Sequence, residues 1–89
     1  MTLQKPFLTQ ANPNPFTDFT RLSFQLREAG CGSLILTSTD GKVIFEKKYA
    51  YLPAGYQEIN INGTELLPGF YIYKLITSDG VASGRLVKE

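Results

Sequence analysis

In the segment Thr20-Arg21-Leu22-Ser23-Phe24-Gln25-Leu26-Arg27 every second side chain is apolar, so that Leu22, Phe24 and Leu26 project to one side and Arg21, Ser23, Gln25 and Arg27 to the other. A two-residue period is the geometry of a strand with one face on a core and the other in water. Similar segments recur between turn signals along the chain, and apolar residues at helical spacing are absent. The chain therefore reads as all-β.

The turn signals divide it further. Phe7-Leu8-Thr9-Gln10-Ala11 reads as a short first strand, which Asn12-Pro13-Asn14-Pro15 must end because two prolines remove ladder donors and fix φ. Gly30 to Gly32 reads as a turn into a strand over 33–39, and Asp40-Gly41 as the left-handed pair of a tight hairpin returning through 42–47. Leu52-Pro53-Ala54-Gly55 breaks the chain before a strand over 56–62, and Asn62-Gly63 with Leu67-Pro68-Gly69 breaks it again. The next strand, 70–77, is apolar on both faces except at Lys74. Lys74 is the costliest of these side chains to bury, which turns Tyr71, Tyr73 and Leu75 inward. Asp79-Gly80 closes a last hairpin onto 81–88.

Seven short strands in 89 residues imply a seven-stranded, immunoglobulin-like antiparallel β-sandwich. Tyr71, near the start of the sixth strand, is placed to hydrogen-bond nearby backbone as a tyrosine corner, and Tyr73 to fill the space a disulfide cysteine takes in antibody domains. The expected core is Leu22, Phe24, Leu34, Leu36, Ile59, Ile61, Tyr71, Tyr73 and Leu75.

A chain this short buries only about 60–65% of its unfolded surface, so nearly all its apolar residues serve one core and little is left for an elaborate pocket. Nine Lys and Arg are scattered among eight Asp and Glu. Without a basic cluster, a nucleic-acid partner is not expected. No apolar run approaches the length of a bilayer span, so no membrane insertion is expected either. The chain lacks His, which removes Cys-His pairs and Ser-His-Asp triads, and its single Cys31 reads as a small semi-buried residue beside a turn. Asp18, Asp40, Glu46, Glu58, Glu65 and Asp79 fall in turns or on outward strand positions and read as solvated surface acids. No cofactor, metal or catalytic activity is expected from this residue set. Asn62-Gly63-Thr64 matches the N-glycosylation pattern, but Asn62-Gly63 already serves as a turn. Tyr49, Tyr51 and Tyr56 remain as a candidate sugar-stacking platform.

Asn12-Pro13-Asn14-Pro15-Phe16, the alternation Leu22-Ser23-Phe24-Gln25-Leu26, and Glu28-Ala29-Gly30 resemble the start of the C-terminal sorting domain of the type IX (Por) secretion system. Asp40-Gly41-Lys42-Val43 is similar to that family's mid-domain hairpin, and Leu52-Pro53-Ala54-Gly55 to its central turn. Leu67-Pro68-Gly69-Phe70-Tyr71-Ile72-Tyr73-Lys74-Leu75 resembles its sixth-strand signature, and Gly80 with Arg85-Leu86-Val87-Lys88 its closing strand. Thr37-Ser38 stand where the family often has Tyr-Asp. The resemblance assigns residues 7–89 to the sorting domain and leaves 1–6 as a linker.

The resemblance implies an address label on a larger precursor, covalently continuous with an N-terminal cargo domain whose own leader carries it into the periplasm. An outer-membrane translocon of a Bacteroidetes-type bacterium would read the label there. A sortase-like signal peptidase would then remove the tail upstream of Phe7, leaving the cargo secreted or attached to lipopolysaccharide at the cell surface. Carried over residue by residue, the recognition determinants would be Arg85, Leu86, Val87 and Lys88 on the last strand, with Gly69 and Tyr71 holding it in shape. Lacking a charged patch or deep pocket, the chain is expected to offer backbone edges and loop shapes to its partner. The alternative reading is an immunoglobulin-like accessory module of a secreted or surface enzyme, carrying the tyrosines as a carbohydrate-binding surface.

Overall fold

The computed structural model describes residues 9–89. Seven strands follow in order: β1 (Thr9–Asn12), β2 (Phe19–Leu26), β3 (Gly30–Ser38), β4 (Val43–Leu52), β5 (Gly55–Asn62), β6 (Gly69–Thr77) and β7 (Gly80–Lys88). They form two antiparallel sheets, β1-β2-β5 and β4-β3-β6-β7. Packed face to face, these make the immunoglobulin-like sandwich that the strand count implied. The expected first strand began at Phe7, outside the described residues.

All nine expected core residues are buried between the sheets, Leu22, Leu36 and Leu75 completely. Lys74 does decide the facing of β6: Tyr71, Tyr73 and Leu75 point inward while Phe70, Ile72 and Ile76 are exposed. Leu26, Leu52, Ala82, Leu86 and Phe16 complete the core. The Tyr71 hydroxyl donates to the Leu67 carbonyl at 2.5 Å, forming the expected tyrosine corner. The Tyr73 hydroxyl shares a 2.5 Å hydrogen bond with Thr9 Oγ1, linking β6 to β1 of the other sheet.

Three turns differ from expectation. Gly30 and Gly32 lie within β3, paired with Leu52 and Tyr49, and the chain turns earlier, at residues 27–29. Glycine serves there for close packing, since a Cβ on Gly32 would fall 2.6 Å from Leu52 Cδ1 and one on Gly30 2.9 Å from Ser78 Oγ. Cys31 is consequently an exposed strand residue and not semi-buried beside a turn. Gly63 is buried with no left-handed φ: its requirement is the Phe16 ring, into which a Cβ would run.

The β3–β4 hairpin forms, but only Gly41 is left-handed, with φ 90°. Gly41 N–H donates to Ser38 O at 3.0 Å and Ser38 N–H to Lys42 O at 2.9 Å, a type I turn followed by a glycine bulge. Asp40 Oδ1 accepts the Ser38 hydroxyl and the Lys42 N–H, and these bonds hold its carboxyl below the usual 3.8. A folded-state pKa below the unfolded one stabilises above the unfolded value and is lost as pH falls through the folded one. Asp40→Asn should therefore lower the melting temperature slightly at neutral pH, and the gap should close well below pH 3.8. An acid-independent gap in thermal melts would contradict this account of the turn.

Gly84 faces Tyr73 across the β6–β7 ladder, and a Cβ there would lie 2.5 Å from the ring. Gly84→Ala must displace Tyr73 from its bond to Thr9, an overpacking cost of about 1–3 kcal/mol. Urea denaturation should register it, and a neutral result would mean the ring has room to move.

Candidate functional site

The residues assigned to recognition lie in one ladder. Antiparallel pairing sets Gly69 against Lys88, Tyr71 against Leu86 and Ile72 against Arg85, and Phe70 against Val87. Alternation then gives them different roles. Leu86 is fully buried and Tyr71 nearly so, so both shape the strand from within. Arg85 is exposed, whereas Val87 and Lys88 are half-buried. Gly69, with φ 147°, turns the chain into β6 in a conformation that a side chain would strain.

The outer edge of β7 departs from expectation. Read as a bare strand, residues 85–89 would present unpaired backbone to a partner. Here that edge is closed by the chain between β1 and β2. Asn14 Nδ2 donates to Arg85 O at 2.9 Å and Asn14 Oδ1 accepts from Val87 N–H at 2.9 Å. Phe16 N–H then donates to Val87 O at 2.9 Å, and Phe16 O accepts from Glu89 N–H at 2.8 Å. The asparagine side chain mimics a strand neighbour and Phe16 continues the pairing as a parallel bridge to Lys88. Both edges of any open sheet need such management, and an end strand left bare invites pairing with other chains.

This strap is fixed at both ends. The buried Thr20 hydroxyl donates to Pro13 O at 2.7 Å, anchoring the strap to β2. The Phe16 side chain, 1% exposed, enters the core against Gly63. Asn14 and Phe16 are the members of the site that sequence reasoning missed. Their signal was present in Asn12-Pro13-Asn14-Pro15-Phe16, where the prolines point to a strand end but not to what the intervening side chains would bind.

The remaining candidates are not brought together. Tyr51 and Tyr56 are exposed on strands of different sheets, and Tyr49 is half-buried with Lys47 Nζ 5.4 Å from its ring centroid. Burial also raises the Tyr49 pKa. Asn62 Oδ1 accepts from Thr64 N–H at 3.0 Å and from the Thr64 hydroxyl at 2.9 Å, which occupies the glycosylation triplet in a local turn. Asp79 is not a solvated acid. Its side chain is 5% exposed, accepts the Arg27 N–H at 2.7 Å and lies 4.0 Å from Arg27 Nε. With the Ser78 hydroxyl donating to Glu28 O, it joins the β6–β7 turn to the β2–β3 turn. Among the described residues no three His, Cys, Asp or Glu side chains are grouped as metal ligands would be.

No curated protein matches the chain. The family model for the secretion system C-terminal sorting domain matches residues 10–89, a span that starts in β1 and takes in the strap, the tyrosine corner and the closing strand. The match takes in both sheets of the sandwich and the loop that laces its seventh strand, and the chain belongs to the family of type IX secretion C-terminal sorting domains.

Proposed function

We propose that this sorting signal is read as a folded shape, by an outer-membrane translocon acting on the periplasmic side, and that a sortase-like peptidase then removes it. Family membership makes the domain a type IX sorting signal with a secreted or cell-surface destination, and the family is not catalytic. The observation that carries the finer reading is the lacing of β7 by Asn14 and Phe16. It holds Arg85, Val87 and Lys88 in one fixed arrangement, with Leu86, Tyr71 and Gly69 as the internal support. A rigid display lowers the ordering cost of binding, which suits a label recognised without a deep pocket.

The test separates shape from support. A reporter with a periplasmic export signal and residues 1–89 as its tail is expressed in a host with the type IX system. The double variant Arg85→Ala, Lys88→Ala alters side chains that are not fully buried, so its urea midpoint should stay near that of the native domain while export falls. The exported native reporter should have lost its tail at a bond upstream of Phe7 by mass spectrometry. Undiminished export of a folded double variant would remove Arg85 and Lys88 from the recognition surface, and an exported reporter still carrying its tail would remove the peptidase step.

A further inference from the structure

The two outward faces of the sandwich differ in kind. On the three-stranded sheet, the cross-strand rows Arg21–Asn60, Ser23–Glu58 and Gln25–Tyr56 are mainly polar, with Arg21 Nη1 3.6 Å from Glu58 Oε2. On the four-stranded sheet, pairing aligns Val43, Thr37, Ile72 and Arg85 in one row. Glu46, Ile35, Lys74 and Ser83 form the next, and Lys48, Ser33, Ile76 and Val81 a third. Phe70 is 55% exposed, Val43 56% and Val81 44%, with Ile72 and Ile76 somewhat less. Isolated apolar residues on a surface need no explanation, but Phe70, Ile72 and Ile76 follow one another along this face of β6, with Val87 and Val81 beside them on β7, and a line of this kind interrupted only by Lys74 marks an interaction surface.

The charges on this face select its occupant. Lys74 lies in the middle row, flanked by apolar side chains, and Arg85 lies on β7, while Glu46 and Lys48 sit on the β4 edge. A second copy docked about a two-fold axis through the Ile72–Lys74 centre would bring the two Lys74 ammonium groups together, with Glu46, two strands away on the β4 edge, opposite neither of them. A lipid surface suits cations at the rim of an apolar patch, from which they reach headgroups, and Lys74 is in the interior. A protein surface of apolar residues around a carboxylate satisfies both features, because it can meet Lys74 with a charge-assisted bond while the surrounding side chains exclude water.

We propose that the outward face of the β4-β3-β6-β7 sheet, centred on Ile72 and Lys74, docks an apolar, acid-bearing surface of the secretion machinery. This rests on the sorting reading and refines it: Arg85 and Val87 contact the partner as part of this face, while Leu86 and the closed outer edge of residues 85–89 do not.

Ile72→Glu and Lys74→Glu, made separately in the reporter fusion, should each lower the exported fraction about tenfold or more, as loss of a central anchor or a desolvated charge pair does. Gln25→Glu on the polar face should leave export unchanged. Circular dichroism and urea denaturation of the 89-residue chain check folding. Both side chains already point to water, so Lys74→Glu in particular should stay folded if Ile72→Glu does not. Native-like export of a folded Lys74→Glu fusion overturns the proposal and leaves the sorting reading intact, as does an equal loss with Gln25→Glu. Failure of the native fusion to be exported sinks the sorting reading and this one with it. Two results would hand the face to another occupant and overturn the proposal: a dimer in analytical ultracentrifugation that Ile72→Glu disperses, or co-sedimentation with phosphatidylethanolamine–phosphatidylglycerol vesicles that Ile72→Glu abolishes.

Discussion

Replacing Phe16 with alanine should destabilise the domain by about 3–5 kcal/mol, the range found when a buried phenylalanine is truncated in a packed core. For a small domain whose whole stability is about 5–15 kcal/mol, that is a large fraction. The expectation follows from placement. Phe16 is 1% exposed, lies against Gly63, and is held by backbone bonds to Val87 on the final strand and to Glu89 just beyond it. Truncation leaves a cavity where strap, β5 end and β7 meet. Phe19→Ala is the control, because Phe19 is three positions away and 49% exposed. Its cost should stay near the usual surface range of about 0.5 kcal/mol. Equal urea midpoints for the two variants would show that the strap contributes nothing to the core.

Deleting Arg85 to Glu89 should abolish cooperative folding. The deletion takes away the fully buried Leu86, the ladder pairs that hold the first residues of β6, and every backbone partner of Asn14 and Phe16 on β7. Loss of Leu86 alone costs about 2–5 kcal/mol, and the uncovered Phe16 and Tyr71 add to it. Removing Glu89 alone deletes one partner of Phe16 O and should cost about 0.5–1.5 kcal/mol. Near-ultraviolet circular dichroism should therefore show a flat spectrum for the long deletion and a native one for the short. An intact cooperative transition in the long deletion would mean that β7 is dispensable. If it unfolds as expected, failed export of that variant reports a lost fold before it reports lost recognition.

The parts of this structure legible in the sequence are those governed by local rules. Alternation at Leu22, Phe24 and Leu26 fixes a facing within one strand, and the single Lys74 is enough to orient all of β6. Tyr71 was placed by its distance from the strand start, and its bond to Leu67 spans only four residues. What stayed hidden depends on long-range contact. Gly30, Gly32 and Gly63 look like turn residues, yet their side chains are missing because Ser78, Leu52 and Phe16 press on them from elsewhere in the chain. Asn14 lies 71 positions from Arg85, and no periodicity relates the two. Phe16 sits in a proline-rich loop, where neither two-residue nor helical spacing marks it as core. Asp79 was misplaced for the same reason, since its partner Arg27 is 52 residues away. The family resemblance reached the segment that contains the strap without revealing its mechanical role.

The central claim is that this chain is a transferable address for type IX export, carried by the fold of residues 9–89. It is tested most directly by fractionating a fluorescent reporter that carries this tail and a periplasmic export signal, in paired strains with and without a working type IX translocon. The account predicts reporter at the cell surface or in the medium only when the translocon is present, and in the periplasm of the strain lacking it. Reporter retained in the periplasm of both strains while the tail is folded, or found outside in both, would contradict it.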